Sequence, residues 1–438
     1  MASPIQKLPE GRLNHLQKKI FFTLFFLALY RIGVHIPIPG VDTYALGEFF
    51  RTQGANLFGM FNMFSGGALE RFSIFALGVM PYISASIISQ LLTVVVPHLE
   101  MLSKEGEAGR KKITQYTRYG TVLLALIQGY MIANTLESSQ FGGASLVLEG
   151  GWTWKALTVL SLTAGTAFVM WLGEQITEKG VGNGISLIIF AGIVAGLPGV
   201  VMNTYSQYTS QQMDLFRILL MCTICVSVVA GVVFMEQGAR QIPVQYAKRQ
   251  VGRKIYGGQS SHLPIRVNTA GVIPPIFAGS LLQFPVTIAA ISPNSWLSEF
   301  ISVAFIPGGW LYNTVYVCLI IFFAFFYTSI TFKADDVAEN LKKHGGFVPG
   351  IRPGARTAEY LHKVLNRLTL VGGIYLAAIC VFPTILTGKF NVQFYFGGTS
   401  LLIVVGVALE TFRQIDAHRQ SLRYDSFLKQ GTIKARRG

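Results

Sequence analysis

The sequence predicts an all-α polytopic membrane protein: ten transmembrane helices in two pseudo-symmetric inverted halves of five, a short half-span and two long cytoplasmic loops. Three observations predict it. Of 438 residues 51% are apolar and only 13% charged, and the mean hydropathy is +0.47, far from the ordinary soluble mix. Ten apolar runs are long enough to cross a hydrocarbon layer of about 30 Å, at about 19 to 39, 73 to 97, 118 to 136, 154 to 174, 183 to 203, 215 to 236, 269 to 291, 309 to 332, 367 to 386 and 396 to 412. With the N-terminus inside, thirty of the 36 Lys and Arg fall in the arm, loops and tail of one side, leaving Arg31, Arg51, Arg71, Lys155, Arg217 and Lys389. That bias marks the cytoplasmic face.

The N-terminal arm is polar and basic (Lys7, Arg12, Lys18) and no small-residue cleavage site follows the first apolar run, so the first span is expected to stay uncleaved. After it comes the glycine-broken stretch FNMFSGGALER, Phe61 to Arg71. As a helix it would rise only about 16 Å, too little to cross. Such backbone is tolerated at membrane depth only inside protein or beside a water-filled cavity. It feeds an uncharged run from Phe72 to Pro97. The organisation expected is an N-terminal half, 1–205, a C-terminal half, 206–415, and a basic tail, 416–438, with TYSQYTSQQMD at 204–214 as the boundary. An odd number of spans per half inverts the second half relative to the first and places a site or pathway between them. This rests on counting, since the halves show no obvious self-similarity.

Both long loops have internal structure. In 237–268, Ile242, Val244 and Tyr246 alternate with polar residues, as do Leu263, Ile265 and Val267, with Lys248, Arg249, Arg253 and Lys254 between. This predicts a β-type hairpin with a basic tip. In 333–366 a helical start, a Gly- and Pro-punctuated turn carrying Arg352 and Arg356, and a helix from about Thr357 follow one another. Basic loops of this length suit an acidic partner such as RNA or an acidic protein face.

Chemistry is scarce. Spans 73–97, 183–203, 269–291, 309–331 and 396–409 contain no Asp, Glu, Lys, Arg or His, whereas ion- and proton-coupled transporters keep such groups within their spans. A pathway lined by neutral residues selects by width and hydrophobic constriction. Candidate constriction residues sit one turn apart on shared faces: Val79 with Ile83 around Pro81, Ile185 with Ile189 after the GVGNG turn, and Ile276 after Pro274 and Pro275. On periodicity alone these are packing or lipid-facing side chains; the flanking Pro and Gly add a reason to place non-ideal helices around a cavity. Cys222 and Cys225 spell C-x-x-C, but without a second pair or a His they read as small packing residues. Asp335 and Asp336 are adjacent on a helix and suit its acidic first turn. No metal site, no cofactor and no enzymatic motif is expected.

The runs FNMFSGGALERFSIFALGVMPYISASIISQLL, EKGVGNGISLIIFAGIVAGLP, QIPVQYAKRQVGRK and GFVPGIRPGARTAEYL are together similar to the SecY family of bacterial protein-conducting channels. The resemblance covers essentially the whole chain. It implies two five-helix halves hinged near 204–214, with a lateral gate between the second and third spans and the seventh and eighth. It implies a plug at about 61–72, formed by Phe61, Asn62, Met63, Phe64, Ser65, Gly66, Gly67, Ala68, Leu69, Glu70 and Arg71. The pore ring carries over to Val79, Ile83, Ile185, Ile189, Ile276 and Ile403, Val79 departing from a family ring that is mostly isoleucine. Ser86 and Gln90 fall nearer the lateral gate, and Arg253, Lys254 and Arg352 at the contacts for the SecA motor and the ribosome. SecE and SecG are the implied membrane partners, signal sequences and unfolded polypeptides the substrates, and the bacterial cytoplasmic (inner) membrane, with both termini cytoplasmic, the location. The competing expectation from another class is an ion-coupled secondary transporter with inverted repeats, which the neutral spans disfavour.

Overall fold

The computed structural model describes residues 10–53, 62, 65–138, 140–141, 144–148, 150–211, 214–246, 249–251, 254–256, 260–291, 309–390 and 398–430. They form two compact units, one from the residues up to Asn203 and those from Val407 on, the other from most of Thr204–Gly406.

In the first unit the helices are α1 (Glu10–Gly33), α2 (Thr43–Gln53), α3 (Met80–Val95), α4 (Pro97–Lys104), α5 (Glu107–Ser138), α6 (Trp152–Lys179) and α7 (Gly184–Thr209), with a two-residue hairpin, β1 (Gln140–Phe141) and β2 (Ala144–Ser145), between α5 and α6. Thr117, Thr121, Ala125, Gly129 and Ala133 of α5 are buried at four-residue intervals. Such a stripe of small residues lets helices approach closely where lipid removes the hydrophobic drive between them. A Cβ on Gly129 would meet Val159 Cα and the Leu162 side chain of α6 at 3.7 Å. Arg118 of α5 closes the same pair with two hydrogen bonds to Glu174, 2.9 and 2.8 Å. The GVGNG turn joins α6 to α7; Gly182 there adopts a left-handed φ of +88° that favours glycine, and its amide donates to Gln414 Oε1 at 3.0 Å.

Two expected spans begin or end differently. The first run continues to residue 39, but α1 stops at Gly33 and Val34–Pro39 is extended and turn. The second run starts at 73, yet helix begins only at Met80, with Pro81 in the first turn, where its missing N–H costs nothing. It ends at Pro97, where α4 departs at 98°. Seven described helices are long and apolar enough to cross a bilayer, eight if that bent pair counts as one span. The remaining two of the ten expected runs coincide with α1, which carries Lys18, Lys19 and Arg31, and with the short apolar stretch Ile273–Leu282.

The second unit contains α8 (Leu215–Gln237), β3 (Ala239–Tyr246), β4 (Arg249–Val251), β5 (Lys254–Tyr256), β6 (Ser260–Arg266), α9 (Ile273–Ile291), α10 (Trp310–Thr331), α11 (Ala334–Lys343), β7 (Gly346–Phe347), α12 (Ala355–Phe390) and the start of α13 (Gly398–Gln430). The expected hairpin is present: β3 pairs antiparallel with β6, Ile242 opposite Leu263, and β4 with β5 nearer its tip. Its other edge takes β7 from the second loop, giving the order β6-β3-β7. Ile242 and Ile265 share one buried core with Ala334, Ala338, Val348, Ala358, Leu361, Val364 and Leu365. The two loops therefore build a single module. Below it α10 packs on α12 through Gly373, whose Cβ would meet Ala324 Cβ at 3.6 Å.

Candidate functional site: a re-entrant segment in the first unit

Ser65–Val79 occupies the depth at which helix was expected, and its described residues are turns rather than a half-helix. The cause is local: Gly66 (φ 68°), Gly67 (φ 84°) and Gly78 (φ 55°) take left-handed backbone, and so does Phe72 at φ 44°. Phe61, Met63 and Phe64 of the expected plug lie outside the described residues.

Backbone that is not helical inside a membrane protein still needs hydrogen bonds. The extended strand after α1 supplies two of them: Ile38 N–H donates to Phe72 O at 2.9 Å, and Ile74 N–H to Ile36 O at 3.1 Å. Tyr30 Oη donates to Ser65 O and Arg31 Nη1 to Gly66 O, each at 3.0 Å. Within the segment, Asn62 Oδ1 accepts from Glu70 N–H at 2.9 Å, Asn62 Nδ2 donates to Glu70 Oε2 at 3.1 Å, and Ser65 Oγ accepts from Leu69 N–H at 3.3 Å. Glu70 thus fastens the segment to itself, while Arg71 is exposed.

Glycines let the surrounding helices close on this segment. A Cβ on Gly165 of α6 would overlap the Ile74 carbonyl, one on Gly33 would overlap the Phe75 ring, and one on Gly66 would lie 2.7 Å from Gly192 Cα of α7. Phe72 stacks on Trp154 at 6.4 Å and Phe75 lies between Tyr30 and Phe168 at 5.9 and 6.0 Å. From Trp154 to Phe168 the rise along α6 is about 20 Å at 1.5 Å per residue. The segment therefore enters from one end of the helices and stops about halfway along. Sequence reasoning missed Tyr30 and the Gly33 and Gly165 contacts; Arg31 carried the one signal, a cation in an apolar run.

Of the expected ring residues in this unit, Val79, Ile83 and Ile189 are 2, 7 and 3% exposed. Ile185 is half-buried, its Cγ1 2.8 Å from where a Cβ on Gly173 would stand. Val79 is the last residue of the turn segment and Ile83 N–H bonds its carbonyl at 3.0 Å, so both are set by the junction of segment and α3. In the second unit Ile403 is buried and Ile276 half-buried. Ser86 and Gln90 face each other on α3, Gln90 Nε2 donating to Ser86 Oγ at 3.3 Å.

On the two-loop module Arg352 is exposed in the turn before α12, its carbonyl accepting from Thr357 Oγ1 at 2.9 Å. Lys254 opens strand β5, and Arg253 lies outside the described residues.

Comparisons with known proteins agree on one family. The SecY family matches residues 73–412. The protein translocase subunit SecY of Vibrio cholerae serotype O1 is 50% identical, over 97% of this chain and 96% of the relative. That of Escherichia coli strain K12 is 51% identical over the same shares. Among solved structures, one of a protein conducting channel matches with a TM-score of 0.63 at 17% identity, covering 99% of this chain and 98% of the other. Sec61 in a canine ribosome-channel complex matches with a TM-score of 0.64 at 18% identity, with the same coverage. These last two are likenesses of fold.

Proposed function

The chain belongs to the SecY family, and from that premise we propose that it is the protein-conducting channel through which unfolded secretory polypeptides cross the bacterial cytoplasmic membrane and hydrophobic segments pass sideways into it. The observation that carries this reading is the re-entrant segment: fifteen residues of mostly buried, non-helical chain, Ser65–Val79, held among the helices of one unit by side-chain and backbone bonds that can be exchanged as a set. A plug is such an element. It blocks a pathway when seated and opens it when displaced, and a signal sequence drives the displacement by binding the open arrangement better.

The ring is Val79, Ile83, Ile185, Ile189, Ile276 and Ile403, aliphatic side chains that close weakly around any passing chain and exclude ions by dewetting. Ser86 and Gln90 belong to the lateral gate. The halves are 1–205 and 206–415, inverted relative to each other, with 416–438 as a cytoplasmic tail. The relatives are translocase subunits, which supports SecE and SecG as membrane partners. Arg352, exposed beside the module, and the Arg253–Lys254 tip receive SecA or a ribosome, which supply the energy.

The test is reconstitution of the channel with its membrane partners and the motor in vesicles. An unfolded secretory polypeptide is expected to become protease-protected on ATP addition. Accumulation of a small solute driven by an ion gradient, with no polypeptide protected, would sink the channel reading in favour of a transporter.

A further inference from the structure

Side chains from three helices hold the GVGNG turn, 180–184, between α6 and α7. Val181 N–H donates to Thr23 Oγ1 of α1 at 3.1 Å and Gly182 N–H to Gln414 Oε1 of α13 at 3.0 Å, partners 158 and 232 residues away in sequence. Thr23 is buried and gives its own proton to Lys19 O at 3.0 Å, which leaves its oxygen to accept from Val181. On the remaining side Thr177 Oγ1 of α6 accepts from Gly184 N–H at 2.8 Å. A Cβ on Gly184 would overlap the Gly173 carbonyl, so the turn lies flush on α6. All of these residues belong to the first unit.

The turn decides where α7 begins. Asn183 caps that helix, its Oδ1 accepting from Ile185 and Ser186 N–H at 3.2 and 3.3 Å. Ile185 is the second residue of α7, and Ile189 lies one turn further on the same face. A shift of the turn is carried straight to both side chains. Gln414 stands eleven residues after Ile403 on α13, three turns and about 16 Å, so the two share nearly one face of that helix. The two fastenings differ in kind. Val181 is 4% exposed, and its amide without Thr23 has no water to turn to. Gln414 is half-buried, and water can take its place at Gly182 when the turn moves.

We propose that Gln414 and Thr23 are positioning residues for the constriction: their oxygens clamp the 180–184 turn and, on the channel reading on which this inference rests, set the resting seat of Ile185 and Ile189. Each acts through α7 rather than on the passing chain. Thr23 is the fixed clamp and Gln414 the releasable one.

Two measurements test the clamp. Hydrogen exchange of the purified full chain, followed over 177–190, reads it without reference to transport. Gln414→Met keeps the side chain's length and removes the acceptor, and Thr23→Val does the same to the hydroxyl. Each should speed exchange of the turn amides about fivefold, with α5 and the rest of α6 exchanging as in the wild type. Gln414→Glu keeps an acceptor oxygen and should restore protection. The second measurement is resting ion conductance in planar bilayers of the channel with its membrane partners. Gln414→Met and Thr23→Val should leak above the wild type and Gln414→Glu should not, with Ile83→Gly/Ile189→Gly as the reference for an opened ring. Unchanged exchange in the turn, faster exchange throughout α6, or no restoration by Gln414→Glu would overturn the clamp. Faster exchange with wild-type conductance, where the double glycine variant leaks, would overturn the seat assigned to it and leave the ring standing. Wild-type conductance in the double glycine variant as well would overturn the ring itself, while exchange in the turn still decides the clamp.

Discussion

Phe72 concentrates the physics of the re-entrant segment in one residue. Its left-handed φ of 44° disfavours a residue with a Cβ by about 1–2 kcal/mol. Its ring is fully buried against Trp154, and truncating a buried Phe costs about 3–5 kcal/mol. Burial wins, so Phe72→Gly should loosen the seated segment although it relieves the backbone. A net loss of roughly 2 kcal/mol raises the open population about thirtyfold. In a cysteine-free background, Ser65→Cys, at a position 2% exposed, should then react correspondingly faster with an impermeant thiol reagent when Phe72 is glycine. Equal labelling rates would show that this ring does not hold the segment. Little of this was legible in the sequence. Arg31 announced itself as a cation in an apolar run, but a glycine shows only that space is available, and the partners of Gly33 and Gly165 come from chain folded back from forty to ninety residues away.

At the scale of elements, hydropathy located the helices well, because every spanning segment must satisfy its own backbone and so declares itself as a long apolar run. It failed where backbone is satisfied by other chain: Val34–Pro39 and Ser65–Val79 are apolar enough for helix, yet bond to each other instead. The hairpin was legible through its alternation. Its union with the second loop was not, because β7 is only Gly346–Phe347, too short to show a period. That union makes a prediction that separates folding from function. Leu361 lies at the centre of the shared core and is fully buried, so Leu361→Ala should cost about 2–5 kcal/mol and open both loops, 237–268 and 333–366, to protease together. Arg352→Glu, on an exposed turn, should leave proteolysis unchanged and cripple motor-driven export. If Leu361→Ala exposed one loop alone, the module would be two independent parts; if Arg352→Glu exported normally, the motor contact would lie elsewhere.

For the whole molecule, the problem is to let a polypeptide through while holding back ions, and neutral spans decide how it is solved. A charged lining would bind ions and invite them in; an aliphatic constriction excludes them by leaving no water to carry them. The six proposed ring positions are all aliphatic, and in the first unit Val79 and Ile83 are placed by the very junction that ends the re-entrant segment. On the proposed reading plug and ring are successive parts of one seal, so weakening either should raise leak and weakening both should raise it further. Ile83→Gly/Ile189→Gly removes two large aliphatic side chains that are 7 and 3% exposed while leaving the segment's bonds to Tyr30 and Arg31 in place. In planar bilayers this variant should conduct ions at rest above the wild-type baseline, and adding Phe72→Gly should increase the current again. Wild-type conductance in the double glycine variant would place the seal elsewhere than at these residues. A third change without further effect would mean that segment and ring do not act in series.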